Sequence, residues 1–225
     1  MERFRFLGII SDAVDSKTPW TANHSRRVEW LASTIGVFID LSETERRRLS
    51  IAARVHDIGK VGINDNLLEM RMGITTEELE RIKLHPVIGS DIINAFILDF
   101  LDSGLDIEDF HDDLREVLSV VRHHHERMDG KGYPDGLKGS SIPLFAKIVH
   151  VADAVDSMLV DRPYRRAPGI EHAVEELKKN RGTQFDTDIV DAFVKHFDFS
   201  LLLTLNDVLS QAYPDAIPPL KGSRY

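Results

Sequence analysis

The sequence predicts an all-α protein, a single compact bundle of roughly seven to nine helices. Three observations predict it. Apolar residues recur at three- and four-residue intervals in one segment after another, two capping boxes mark helix starts, and Gly or Pro falls where the periodicity stops. A length of 225 residues with 42% hydrophobic content suits one domain over 1–225, its core in about 5–195 and a C-terminal helix and irregular tail in 196–225.

The elements follow in order. Phe4, Leu7, Ile10 and Val14 share one face of a short amphipathic helix that packs as a cover and stops before Pro19. The next helix starts near Thr21 and carries Val28, Leu31, Ala32, Ile35 and Phe38, with His24 in its first turns. Ser42 and Glu45 form a capping box opening a helix through Leu49, Ala52, Ala53 and Val55, and Arg46, Arg47 and Arg48 read as its solvated face. This helix ends at His56-Asp57-Ile58-Gly59-Lys60, where Gly59 is expected to turn the backbone away and leave His56 and Asp57 pointing inward. Alone, the dyad fits two readings: metal ligands beside a cationic phosphate contact, or a helix-end histidine next to an Asp57–Lys60 surface pair.

A second box at Thr75 and Glu78 starts the helix leading to His85, and Pro86 places His85 at a break that can aim it into a cleft. Ile88, Ile92, Ile93 and Phe96 continue as core. The acidic stretch from Leu98 to Asp113 lacks the glycine and spacing of a calcium loop and reads as solvated surface. Leu114, Val117, Leu118 and Val121 then lead to His123-His124-His125-Glu126. The loop from Arg127 to Gly139 holds four glycines and Tyr133-Pro134; it is either a flexible linker or a place where backbone amides approach a ligand. An apolar helix from Ile142-Pro143 carries Asp153 and Asp156 on one face, so at least one should meet a cation, while His150 reads as exposed. Asp161-Arg162-Pro163-Tyr164-Arg165-Arg166 suits phosphate capture or ordinary salt bridges. Two or three helices follow over 170–212, with His172 and His196 at the surface.

A net charge of −9 opposes binding along a phosphate backbone, so no nucleic-acid polymer is expected as partner. With no cysteine, any metal site must be built from histidine and carboxylate. The N-terminal apolar run meets Asp12 before it could span a bilayer and shows no small-residue cleavage site, so the expectation is a cytoplasmic protein without a membrane partner.

Each histidine has an ordinary explanation by itself; the ordered set is harder to explain so. His24 with Arg27-Val28, His56-Asp57-Ile58-Gly59-Lys60, His85-Pro86 with Gly89, His124-His125-Glu126-Arg127 with Asp129-Gly130, Gly132-Tyr133-Pro134, Ala152-Asp153 and Arg162-Pro163-Tyr164-Arg165 resemble the HD-GYP family, metal-dependent phosphodiesterases of the HD-domain type that degrade cyclic di-GMP. The resemblance runs over about 5–195 and implies an HD-domain bundle. It implies two divalent ions, iron first and manganese as the alternative, one held by His24, His56 and Asp153, the other by His85, His124 and His125, with Asp57 bridging. The implied reaction is hydrolysis of cyclic di-GMP to linear pGpG, and onward to GMP, by a metal-bridging hydroxide. Lys60 would sit by the scissile phosphate, Arg162 and Arg165 would hold a phosphate, and Gly132, Tyr133 and Pro134 would shape the guanine side, with Tyr133 free to stack on a base.

The resemblance leaves two other readings: a phosphodiesterase for cyclic GMP-AMP, and a catalytically weak nucleotide sensor or interaction module. It allows a homodimer, and a regulatory protein or diguanylate-cyclase partner meeting the glycine-tyrosine-proline loop. Members thought to hold a third metal carry a glutamate one helical turn before the first histidine; this chain has Trp20 there, so two ions are expected rather than three. The stretch between Pro86 and His124 is also longer than usual for the family.

Overall fold

In a computed structural model, residues 5–17, 21–69, 73–102, 108–160, 167–198 and 201 are described, without the side chains of 5, 6, 100–102 and 108–112. Trp20 and the Arg162 to Arg165 cluster lie outside these residues, as do most of the tail and the middle of the acidic stretch. Among the described residues there are helices and no strand, as expected: α1 (Arg5–Asp15), α2 (His24–Phe38), α3 (Glu43–Val55), α4 (Asp65–Glu69), α5 (Thr76–Ile82), α6 (His85–Asp102), α7 (Glu108–His123), α8 (Leu144–Leu159), α9 (Ile170–Asn180) and α10 (Thr187–His196). No helix among them is long and apolar enough to cross a membrane.

Local chemistry sets the boundaries. Both capping boxes form: Ser42 accepts from the Glu45 N–H and Thr75 from the Glu78 N–H, and each glutamate reaches back to the cap N–H. At α10 the Asp186 carboxylate accepts from the Asp188 and Ile189 N–H groups.

The core lies where α2 packs on α3 and α8, and α3 and α6 pack on α7. Leu31, Ile35, Leu49, Ala53, Val120, Val121, Ile148, Val155 and Phe193 are wholly buried there. Small residues bring the α2, α3 and α8 axes close, as with Ala32, Ala52 and Ala152. That closeness matters at one end of the bundle, where four helix termini meet the middle of α8.

Two glycines let the turn Ile58–Gly62 press on the start of α6. A Cβ at Gly59 would stand 1.9 Å from the His85 carbonyl oxygen and 2.4 Å from the Gly89 nitrogen, and one at Gly89 would stand 2.7 Å from Val121. Gly59 is not in the left-handed region, so its role differs from the sequence expectation: it permits backbone contact with the next helix.

Candidate metal centre

Five imidazoles reach this end of the bundle from helix termini. His24 opens α2, His56 follows α3, His85 opens α6, and His124 and His125 follow α7. Asp57 sits among them, and His24, His56, Asp57, His85 and His124 are all buried. Ligand atoms of His24, His56 and Asp57 lie within 4.8 Å of one another, as do those of Asp57, His85, His124 and His125. Asp57 belongs to both groups, the position from which one carboxylate can serve two cations.

Asp153, grouped by the resemblance with His24 and His56, belongs to neither set but stands beside the first: its Oδ1 is 3.5 Å from His24 Nε2, and Ser157 Oγ donates to it at 3.3 Å.

The histidines are held with a consistent polarity. His56 Nδ1 lies 2.8 Å from the Ala53 carbonyl, His85 Nδ1 2.9 Å from that of Ile82, and His124 Nδ1 2.8 Å from that of Val121. A carbonyl only accepts, so each Nδ1 carries a proton, and in the neutral ring each Nε2 turns a lone pair inward. The consequences are visible at the centre. His85 Nε2 and His124 Nε2 face each other at 3.3 Å, His85 Nε2 stands 3.3 Å from Asp57 Oδ1, and His56 Nε2 is buried without a hydrogen-bond partner. Converging acceptors without donors suit cations, and nitrogen with carboxylate oxygen suits iron, manganese or zinc.

Electrostatics agrees. Burial, reinforced by neighbouring imidazoles, holds His124 and His125 well below the ordinary histidine range; burial lowers His56 too. Neutral rings are the ligating form. His24 is the exception: burial works against its charge, but bonds to Asp156 and Asp57 push it up to about 10, so a cation there would have to displace a proton. Burial alone would raise Asp57, yet the Lys60 ammonium and His56 hold it well below the carboxylate range.

Three residues depart from expectation. Lys60 donates directly to Asp57 Oδ2, whereas the sequence reading made it a phosphate neighbour; it also lines the cleft and is half-buried, within reach of a ligand. Tyr133 has one ring face taken, stacked on His125 with centroids 4.8 Å apart, and the Lys83 ammonium lies 5.6 Å from its centroid. His150, expected at the surface, is 9% exposed and stands 3.2 Å from Gln184 Nε2. The helix it rides on is buried nearly all round, so periodicity gave no exposed face to assign it to.

Gly132 also differs from the ligand-approach reading. A Cβ there would lie 2.5 Å from the Arg127 nitrogen and 2.6 Å from the His125 carbonyl oxygen, so the glycine lets the loop fold back on its own chain. Sequence reasoning missed Asp156 as a site residue, although the expected cation is found. Arg27 Nε donates to its Oδ1 at 2.5 Å and Nη2 to its Oδ2 at 3.1 Å, while His24 Nδ1 is 2.7 Å from Oδ2. The buried pair of Arg27 and Asp156 orients His24 from behind. The signal was the spacing of Asp153 and Asp156 one turn apart on an apolar helix.

The centre floors a cleft of about 330 Å³ lined by His24, Asp57, Lys60, His85, His125, Tyr133 and Asp153, with Leu68, Ile74 and Ile82 as an apolar wall and Lys17 at its lip.

Residues 8–189 match the HD domain family model. Over 192 residues the chain is 35% identical to a cyclic di-GMP phosphodiesterase of Thermotoga maritima, covering 85% of this chain and 49% of that one. Over 182 residues it is 30% identical to a 3'3'-cGAMP-specific phosphodiesterase of Vibrio cholerae, covering 81% and 36%. The chain thus spans about half the length of the first of these. Among solved structures, an HD-GYP protein of Bdellovibrio bacteriovorus aligns with a TM-score of 0.58 at 19% identity over 78% of this chain and 51% of that one.

Proposed function

The chain belongs to the HD domain family, with motifs of the HD-GYP type, and from that premise we propose that it is a metal-dependent phosphodiesterase hydrolysing cyclic di-GMP to linear pGpG, with GMP as a further product. The observation that carries the reading is Asp57, a buried carboxylate belonging at once to two groups of inward-facing imidazoles.

His24 and His56, with Asp153 beside them, would hold one divalent ion, and His85, His124 and His125 the other, with Asp57 shared. Two such ions, iron or manganese given this donor set, supply Lewis acidity toward a phosphodiester and bring the pKa of a bound water toward neutrality. The protein groups do the rest. Lys60, at the cleft edge, exchanges its contact with Asp57 for the phosphate and holds a proton for the leaving oxygen. The aromatic edge of Tyr133 and the wall of Leu68, Ile74 and Ile82 exclude water from one side. Arg162 and Arg165 are proposed to hold a second phosphate. The exposed part of the glycine-tyrosine-proline loop, at Lys131, Asp135 and Gly136, is the proposed meeting point for a regulatory partner.

A cyclic GMP-AMP substrate is the second reading, favoured by the similarity to the Vibrio cholerae enzyme. The test measures bound metal and turnover of both cyclic dinucleotides by purified protein and by Asp57→Ala. The expected result is about two ions per chain, cleavage of cyclic di-GMP, and loss of both metal and turnover in the variant. Undiminished turnover without Asp57 would sink the proposal; a metal-loaded protein that binds a cyclic dinucleotide and cleaves none would make it a sensor.

A further inference from the structure

Four of the five ligand imidazoles have Nδ1 fixed by an acceptor: Ala53, Ile82 and Val121 carbonyls for His56, His85 and His124, and the Asp156 carboxylate for His24. His125 has no hydrogen bond at either ring nitrogen among the described residues. Its orientation comes from other rings. Four rings surround it: His124 at 4.2 Å, Tyr133 stacked at 4.8 Å and 29°, His85 edge-on at 5.0 Å and 85°, and His150 edge-on at 6.4 Å and 81°; of these, Tyr133 and His150 flank it from outside the ligand set.

Both flanking rings are anchored. The Tyr133 N–H donates to the His125 carbonyl at 3.3 Å. His150 is anchored by Gln184, whose Nε2 lies 3.2 Å from His150 Nε2. An amide nitrogen only donates, so the His150 proton resides on Nδ1. The same glutamine grips the chain just after His125: its Oε1 accepts from Arg127 Nη1 at 2.9 Å and its carbonyl from the Met128 N–H at 3.3 Å. Gln184 stands in the turn between α9 and α10, far in sequence from every ligand. It joins α8, through His150, to the segment that carries His125.

We propose that Gln184, acting through His150 and the 127–128 backbone, is a positioning residue that aims His125 at the ion shared with His85 and His124. This rests on the two-ion reading above. Its physical basis is general: groups behind a metal ligand set its orientation, and losing one typically costs about 10–100-fold in affinity or activity.

The test titrates metal-free protein with cobalt(II), followed by visible absorption and calorimetry, in wild type, Gln184→Ala and Gln184→Met. Methionine keeps the length of the side chain but has no N–H for His150 and no amide oxygen for Arg127. In both variants one equivalent is expected to bind as in wild type and the other about 10–100-fold more weakly with altered absorption bands; if the alanine variant does not fold, the methionine variant carries the test. Wild-type affinities for both equivalents would overturn the assignment, and so would equal weakening of both together with a lowered melting temperature. A wild type that takes up only one equivalent defeats the two-ion reading instead, whatever its activity on cyclic dinucleotides.

Discussion

Asp156 shows how much one side chain can carry from behind a metal ligand. It is 3% exposed and neutralises Arg27, itself 3% exposed, while fixing His24. Deleting one member of a buried pair strands the other's charge, so Asp156→Ala is expected to cost about 3–5 kcal/mol in denaturant unfolding. Arg127 and Asp129 provide the pH-dependent counterpart at the surface. The bidentate guanidinium, aided by the Lys131 N–H, holds Asp129 down to about 2. A depressed folded value means this contribution is present above the ordinary value of 3.8 and lost as pH falls toward 2. The melting-temperature difference between wild type and Asp129→Asn should therefore be largest near neutral pH and shrink below pH 4. The ligands themselves were legible as residues, because histidine beside aspartate in a cysteine-free chain admits few other uses. Their supports were not: His150 and Gln184 follow no spacing rule, since they meet through the fold alone.

At the level of elements, the centre is made of helix ends. Side chains at a terminus can point along the axis into the space where several helices converge, and here Asp153 and Asp156 join them from the interior of α8. Boundaries therefore decide function, and they were the most readable part of the chain: both capping boxes, and the His85-Pro86 break, fall where their residues require. Less readable was why glycine occupies 59 and 132. Turn chemistry suggested conformational freedom; the reason is crowding, visible only once distant backbones are placed. Gly59→Ala should push the 58–62 turn from α6, separating Asp57 from His85, and lower stability by about 1–3 kcal/mol. Metal analysis of the folded variant should show reduced occupancy, and full occupancy would refute the crowding argument.

For the whole molecule, packing and metal binding are separable. Phe193 is wholly buried on α10, which packs on α2 and α8, and it stacks on Phe197, which meets Phe38 at the end of α2 opposite His24. Phe193→Ala is expected to destabilise by about 3–5 kcal/mol with metal stoichiometry unchanged. Conversely, ions bound only by the folded state raise its stability by mass action, about 2.7 kcal/mol at a free concentration a hundredfold above Kd, so a chelator should lower the melting temperature reversibly.

The inward lone pairs of His56, His85 and His124 have a consequence for mutational tolerance. Their proton acceptors are main-chain carbonyls three residues back, which persist whatever side chain Ala53, Ile82 or Val121 is replaced by. His24 depends instead on a particular carboxylate. A saturation scan read by metal loading should find the supports of three ligands nearly indifferent to residue identity, limited only by volume, and the support of the fourth confined to aspartate.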